Sequence, residues 1–278
     1  MTIASSPTVY CVVPVHNRLQ ITREFLRQMA QQDYPSVRIV VVDDGSSDGT
    51  GEFLDALHET NIHVLRGDGS LWWGGAMNMG MRYVFGVAHD RDYLLMLNDD
   101  VRIGPSYVSV LVDDSVANHG AVVGSAQRDD ISGNLIGSGY EVDYRRMSFR
   151  TIDPQGAAVA VDALPGRGTL FPMSVARRAG YIHERLPHHL GDLEYTARVK
   201  ESAHPLLVSW RAEVFTGVPL GSDVRRTKSW KRWTGRRSPN NAVQRLVFFL
   251  ARGPLVCRVL AIPRFALLAV KKLTLGSD

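Results

Sequence analysis

Residues 9–15 read VYCVVPV, an unbroken apolar and β-branched run of the kind a strand needs when both of its faces are covered. From residue 19 to 31 the apolar side chains return at Leu19, Phe25, Leu26 and Met29, which is a helical period. Residues 37–42 (VRIVVV) predict a second buried strand, running into Asp43-Asp44-Gly45-Ser46-Ser47-Asp48 and then a helix carrying Phe53, Leu54 and Leu57. A third strand is expected at 62–65, a helix at 76–88 and a fourth strand at 93–97. This βαβαβαβ order predicts a largely parallel central sheet flanked by helices, an α/β fold.

The second half is less regular. Short strands are expected at 121–125, 159–164 and 206–210, and helices at 174–180 and 192–202. Beyond Pro239 the pattern predicts two amphipathic helices, 241–251 and 255–273, split by Gly253-Pro254. The chain therefore divides into a body at 1–220 and an apolar, basic, helical tail at 221–278. Within the body, 1–105 carries the strand-end clusters and 106–220 forms a second half.

Composition adds compartment and charge. With 45% hydrophobic and 22% charged residues over 278 positions, the chain has the balance of a soluble globular protein with a sizeable core. Cys11 and Cys257 stand far apart in apolar surroundings, which suggests neither a disulfide framework nor a zinc site and fits a reducing, cytoplasmic compartment. The N-terminal MTIASSPTVYCVV lacks the basic and long apolar regions of a signal peptide.

The net charge of +4 hides an asymmetry: 13 Lys/Arg against two acids from Gly221 onward, and 19 basic against 26 acidic residues before it. Charge alone does not choose between nucleic acid, anionic lipid and an anionic protein partner for such a tail. Its arginines leave uncharged runs no longer than about six residues, far short of the roughly 20 that span a bilayer. Two apolar helices with spaced arginines suit a membrane interface or a partner surface, or they pack back on the body.

In open parallel sheets ligands bind beyond the carboxyl ends of the strands, and the polar clusters fall there. His16-Asn17-Arg18 follows the first strand, Asp43-Asp44 the second, Asp68 to Gly75 the third and Asn98-Asp99-Asp100 the fourth. A strand-end carboxylate can accept from a nucleobase or ribose, or simply cap the turn that follows it. In Gly69-Ser70-Leu71-Trp72-Trp73-Gly74-Gly75-Ala76-Met77-Asn78, two tryptophans in a loop and paired glycines ahead of a helix suggest a close approach of backbone to phosphate. The glycine spacing fits neither a dinucleotide fingerprint nor a Walker loop. The adjacent carboxylates at 99 and 100 repel each other, and a hard divalent cation shared with a diphosphate would relieve that repulsion.

Taken together, VVPVHNR, VVVDDGSSDGT, DGSLWWGGAMNMG and LMLNDDV in this order resemble the family 2 glycosyltransferases of GT-A fold. The resemblance runs from about Val9 to about Trp210, and the Trp72-Trp73-Gly74-Gly75 loop with Asn78 is most similar to the bacterial rhamnosyltransferase-like branch. It implies a sugar-nucleotide pocket at Pro14, Val15, His16 and Asn17, a base- and ribose-binding aspartate at Asp43 or Asp44, and further donor contacts from Trp73, Gly74, Gly75 and Asn78. It also places the DXD metal motif on Asn98, Asp99 and Asp100, with Asn98 standing where an acid is usual. Asp100 is then the principal ligand for Mg2+ or Mn2+, and Asp99 lies near ribose or metal.

The family's later acidic motif corresponds to His188-His189-Leu190-Gly191-Asp192-Leu193-Glu194 with Arg198, and Gly191 replaces its first acid. That leaves Asp192 as the catalytic base, with a helix cap as the alternative role. Arg167 would clamp a diphosphate or an acceptor, and Arg198 would assist the leaving diphosphate or pair with Glu194. The QxxRW motif of processive synthases is absent, since Ser229 stands in the Gln position before Arg232-Trp233. The resemblance thus implies inverting transfer of a single sugar from a dTDP- or UDP-sugar to a glycan or lipid-linked acceptor, as in bacterial surface polysaccharide or glycolipid assembly. Peripheral contact with the inner face of the cytoplasmic membrane through 239–273 is expected, and nucleic acid is not an expected partner. Two rivals share the features: a nucleotidyltransferase, which lacks its usual glycine- and basic-rich loop here, and a catalytically silent sugar-nucleotide-binding adaptor.

Overall fold

The computed structural model describes residues 6–153, 158–217 and 241–263. In chain order its elements are β1 (Val9–Val15), α1 (Leu19–Met29), β2 (Val37–Asp43), α2 (Thr50–Asp55), β3 (Ile62–Arg66), α3 (Trp72–Val87), β4 (Tyr93–Met96) and α4 (Tyr107–Ala117). Then come β5 (Val122–Asp129), β6 (Leu135–Gly137), β7 (Tyr140–Asp143), β8 (Ser148–Thr151), β9 (Val159–Ala160) and β10 (Thr169–Pro172). The remaining elements are α5 (Met173–Ala179), α6 (Gly191–Glu201), β11 (Leu206–Thr216) and α7 (Ala242–Arg252).

The main sheet runs in the order β3-β2-β1-β4-β10-β5-β11-β9. Pairings of β1 with β2 and β4, of β2 with β3 and of β5 with β11 are parallel. The unbroken apolar runs have a simple cause. Alternate residues of each strand point to opposite faces, and both faces are covered. Val12, Val40 and Val42 pack with Met77, Met81 and Val84 of α3 on one side. Cys11, Val13, Ile39 and Val41 pack with Phe25 and Met29 of α1 and Leu111 of α4 on the other. Gly80 lets α3 lie close to the sheet, because a Cβ there would stand 2.3 Å from Cγ1 of Val12.

The sequence pattern misplaces several boundaries. The strand expected at 159–164 is confined to Val159–Ala160, because the amides of Asp162 and Ala163 turn to donate to the carbonyl of Tyr140. The strand β10 was not foreseen. Four residues long, it runs antiparallel between β4 and β5 and joins the two parallel halves of the sheet. The helix expected from Ala76 begins at Trp72, so both tryptophans and the paired glycines form its first turn rather than a loop ahead of it.

The first tail helix packs on the body. Phe248 and Phe249 of α7 share a buried cluster with Val142, Leu193 and Ala197, and Phe149 meets Phe248 edge to face. Arg252 reaches Glu194 at 3.3 Å and Glu201 at 2.7 Å. Of the span 239–273 expected at a membrane, this helix turns Phe248 and Phe249 to the body and leaves Val243 exposed. Residues 255–263 form a further helical stretch. The expected continuation to 273, and the positions compared with the QxxRW motif, lie outside the described residues. Among the described residues no helix is long and apolar enough to cross a membrane.

Candidate active site

The register of the sheet brings the strand-end clusters together. Val15 pairs with Asp43 and Asp43 with Arg66 across three neighbouring strands. Pro14 and Val15 close β1, and Asn17 follows with a left-handed φ of 52°. Its amide N–H donates to Oγ of Ser46, and its Oδ1 accepts from the Ser47 N–H at 2.7 Å. His16 Nδ1 lies 2.6 Å from the Asp44 carbonyl. These bonds fasten the loop after β1 to the loop after β2.

The two aspartates at the end of β2 have different partners. Asp43 is buried and ion-paired with Arg66, whose guanidinium also reaches Asp55. The Asp44 carboxylate accepts from the backbone N–H groups of Gly69, Leu71 and Trp72 at 2.8, 3.0 and 3.2 Å. The last two belong to the N-cap and first residue of α3, where an anion is favoured by the exposed amides and the helix dipole. The helix begins early because Asp44 supplies that anion, and the place expected for a phosphate is held by this carboxylate.

The first turn of α3 then organises the next cluster. The Trp73 indole Nε1–H donates to Asn98 Oδ1 at 2.9 Å. The Trp73 ring covers Gly166, where a Cβ would meet its Cζ2 and Cη2 at 2.5 Å and Asp192 Cβ at 3.1 Å. Gly74 sits against Pro187, accepting no side chain of its own, and donates its N–H to the Pro187 carbonyl at 2.7 Å. Gly75, the next residue, lies against Leu71. Asn78 is set apart from this group: its amide exchanges two bonds with the backbone of Ile182 at 2.8 and 2.9 Å. That pairing fastens α3 to the chain ahead of α6.

Past β4, Asp99 and Asp100 differ sharply. Asp99 is buried, with one oxygen accepting from Arg18 at 3.0 Å and the other from Thr22 at 3.1 Å. Burial pushes its carboxyl up to about 6, against the pull of the Arg18 guanidinium. Asp100 directs Oδ2 to Arg18 at 3.3 Å and toward Arg167 at 3.7 Å, while its buried Oδ1 has no hydrogen-bond partner. Among the described residues no group of three His, Cys, Asp or Glu side chains is placed to hold a metal. One orphaned carboxylate oxygen nevertheless fits Mg2+ or Mn2+, which commonly take one or two protein carboxylates and fill their other positions with phosphate oxygens and water. Asp99, with both oxygens already engaged, is a support for that oxygen rather than a second free ligand.

Asp192 stands at the second position of α6, across Gly166 from Trp73. Its carboxylate accepts from the N–H groups of Gly166 at 2.7 Å and Leu193 at 2.8 Å. Desolvation raises its pKa above the usual carboxylate range, and these two bonds and the nearby His189 pull the other way. Tyr140, raised to about 12 chiefly by burial, feels the charges of both Asp192 and Arg167. The His188 ring lies 4.3 Å from that of His189, tilted by 58°, and meets Trp72 edge-on at 5.4 Å. Glu194 is turned into the body between Arg198 and Arg252. Arg198 also donates to the carbonyls of Ala179 and Tyr181, which places it as a tie beneath α6.

Two participants escaped the sequence reading, Thr22 and Arg66, and Arg18 was placed in a strand-end cluster without its partner. Arg66 ends β3 in register with Asp43, a cross-strand pairing that the strand alignment could have suggested. Arg18 and Thr22 reach Asp99 over 81 and 77 residues of sequence, and nothing local announces that meeting.

Comparison with known proteins agrees with this layout. Residues 10–179 match the family described as Glycosyl transferase family 2. The poly-beta-1,6-N-acetyl-D-glucosamine synthase of Staphylococcus epidermidis is 24% identical over 60% of this chain and 40% of its own. The chain spans 34% to 40% of the length of the first curated relatives it matches. Among solved structures, a mannosyltransferase, PcManGT from Pyrobaculum calidifontis in complex with GDP-Man and Mn2+, superposes with a TM-score of 0.61 at 17% identity, covering 99% of this chain and 77% of that one. The S. aureus TarS 1–349 complex with UDP-GlcNAc gives a TM-score of 0.60 at 15% identity, covering 96% and 73%. These structures share the GT-A arrangement of a mostly parallel sheet between helices, and the match over 10–179 takes in the strand-end clusters, the Trp73 turn and Arg167. The chain belongs to glycosyl transferase family 2.

Proposed function

We propose that the protein is an inverting glycosyltransferase that moves one sugar from a nucleoside diphosphate sugar to an acceptor hydroxyl. The observation that carries this reading is Asp192, a carboxylate with a raised pKa held beside Gly166 and Trp73. A base tuned upward from the ordinary carboxylate range is better matched to a hydroxyl proton at neutral pH. The acceptor proton passes to Asp192 as the acceptor oxygen bonds to the anomeric carbon. The bond from that carbon to the diphosphate oxygen breaks on the opposite face, and its electron pair leaves with the diphosphate. Direct displacement inverts the centre without a covalent enzyme intermediate.

Arg18 and Arg167 bring two guanidinium groups beside Asp100, where they oppose the charge growing on the leaving diphosphate. A divalent cation held by Asp100 would supply further charge neutralisation there. The names of structural neighbours that bind GDP-Man with Mn2+ or UDP-GlcNAc support a nucleotide-sugar donor and a metal. The name of the poly-N-acetylglucosamine synthase supports surface polysaccharide or glycolipid assembly. The rhamnosyltransferase-like Trp-Trp-Gly-Gly turn favours a dTDP- or UDP-sugar. In this reading residues 1–105 handle the donor and 106–220 the acceptor, a glycan or a lipid-linked sugar met at the inner face of the membrane.

A second reading, a silent nucleotide-binding protein, is favoured by the engagement of Asn98 with Trp73 and of Asp99 with Arg18 and Thr22. Thermal shift with UDP, dTDP and GDP sugars, with and without Mn2+, followed by transfer assays, separates the two. A donor that stabilises the fold in a Mn2+-dependent manner and is turned over, with turnover lost in Asp192→Asn and Asp100→Ala, is the expected result. Turnover unchanged in both variants would sink the assignment, and stabilisation without turnover of any sugar would favour the silent protein.

A further inference from the structure

We propose that the outward face of the helical stretch 255–263 is a docking surface for an anionic lipid bilayer. Its amphipathicity runs opposite to that of a packed helix. Leu255, Val259 and Ile262, at spacings of four and three, are 76%, 66% and 61% exposed, and Val256 beside them is 70% exposed. Residues so spaced share one side of a helix. The side turned to the protein carries the small residues instead: Ala261 is buried against the cluster that holds Phe248 and Phe249. A soluble surface helix buries its large apolar side chains, so a helix that presents them outward marks an interaction site.

The charge of the surrounding chain selects the occupant. No acid occurs in the sequence from Val224 to Ser277, while 13 Lys/Arg do, and Arg258 lies exposed on the helical stretch itself. Exposed Leu, Val and Ile around an arginine, in a segment of chain so rich in Arg and Lys, are what a helix needs to lie in the headgroup boundary of an anionic membrane. Two copies of so basic a surface would repel each other, which weighs against a self-association patch. The surface is also tied to the chemistry. The preceding helix α7 is fastened through Arg252 to Glu194, two residues beyond Asp192 on α6. A bilayer engaged here would bring a lipid-linked acceptor toward the acceptor side of the site. That purpose rests on the transferase reading, but the docking itself does not.

Sedimentation with vesicles of phosphatidylcholine alone, and of phosphatidylcholine with phosphatidylglycerol, tests the surface on the full chain. The wild type should pellet with the anionic vesicles, less with the neutral ones, and release as salt is raised. Val256→Glu with Val259→Glu should weaken binding about tenfold or more, with thermal unfolding unchanged because both side chains already face solvent. Wild type that stays in the supernatant overturns the proposal. So does a double variant that binds as wild type, which would place the lipid contact elsewhere in the tail. A wild-type dimer that the double variant converts to a monomer in size exclusion, without vesicle binding, also overturns it in favour of a second copy. Stabilisation by UDP, dTDP or GDP with Mn2+, measured on the same samples, reads the donor site separately. Vesicle binding without binding of any of the three nucleotides overturns the transferase reading alone, and nucleotide binding without vesicle binding overturns this proposal alone.

Discussion

At the scale of single residues, the site is built from carboxylates whose partners differ, and the partners set the roles. Asp44 has three backbone N–H donors, Asp43 has Arg66, Asp99 has Arg18 and Thr22, and only Asp100 keeps a buried oxygen without a partner. Asp192 is shifted upward by burial, and the sign of its effect on stability follows. A carboxyl whose folded pKa exceeds its unfolded value of about 3.9 favours the folded state least when ionised. The cost is absent below that unfolded value and grows as pH rises through the raised folded one. The stability of Asp192→Asn relative to wild type should therefore rise with pH from about 4 upward, measured by urea unfolding at several pH values. The same substitution should cut transfer by about 10²- to 10⁴-fold. A flat stability difference across that range would mean that the carboxylate is solvated.

At the scale of elements, the decisive feature is the start of α3. Paired glycines and tryptophans look like loop material, because glycine disfavours helix interiors and large aromatics serve poorly as caps. What makes a helix there is a carboxylate from the loop after β2, Asp44, set 27 and 28 residues before the amides of Leu71 and Trp72. Asp44→Ala should cost about 1–3 kcal/mol, the range for leaving buried donors unpaired, and loosen the Trp73–Asn98 bond that depends on this turn. Chemical denaturation reads the first effect. An unchanged midpoint with weakened UDP binding would instead make Asp44 a donor ligand. The strand β10 teaches the same lesson. Thr-Leu-Phe-Pro is too short and too ordinary to announce itself, and it becomes a strand because β4 and β5 both leave an edge for it.

At the scale of the whole molecule, the first tail helix is part of the body and the second turns its bulky side outward. Phe249→Ala should destabilise the catalytic body by about 3–5 kcal/mol, the usual cost of emptying a buried aromatic site, in one cooperative transition. A separate early transition, with the main one unmoved, would mean that α7 is an independent appendage. The sequence by itself determined the parallel βαβ half, the polar clusters on its carboxyl edge and Asp192 at a helix start. Those features follow from local periodicity and from the rule that strand ends carry the ligands, both of which act over a few residues. Only the tertiary structure decided which carboxylates are already partnered, that Asn98 serves Trp73, that Asn78 serves Ile182, and which tail helix is covered. Each of these is a meeting of groups far apart in the chain, fixed by packing geometry that no short stretch of residues encodes.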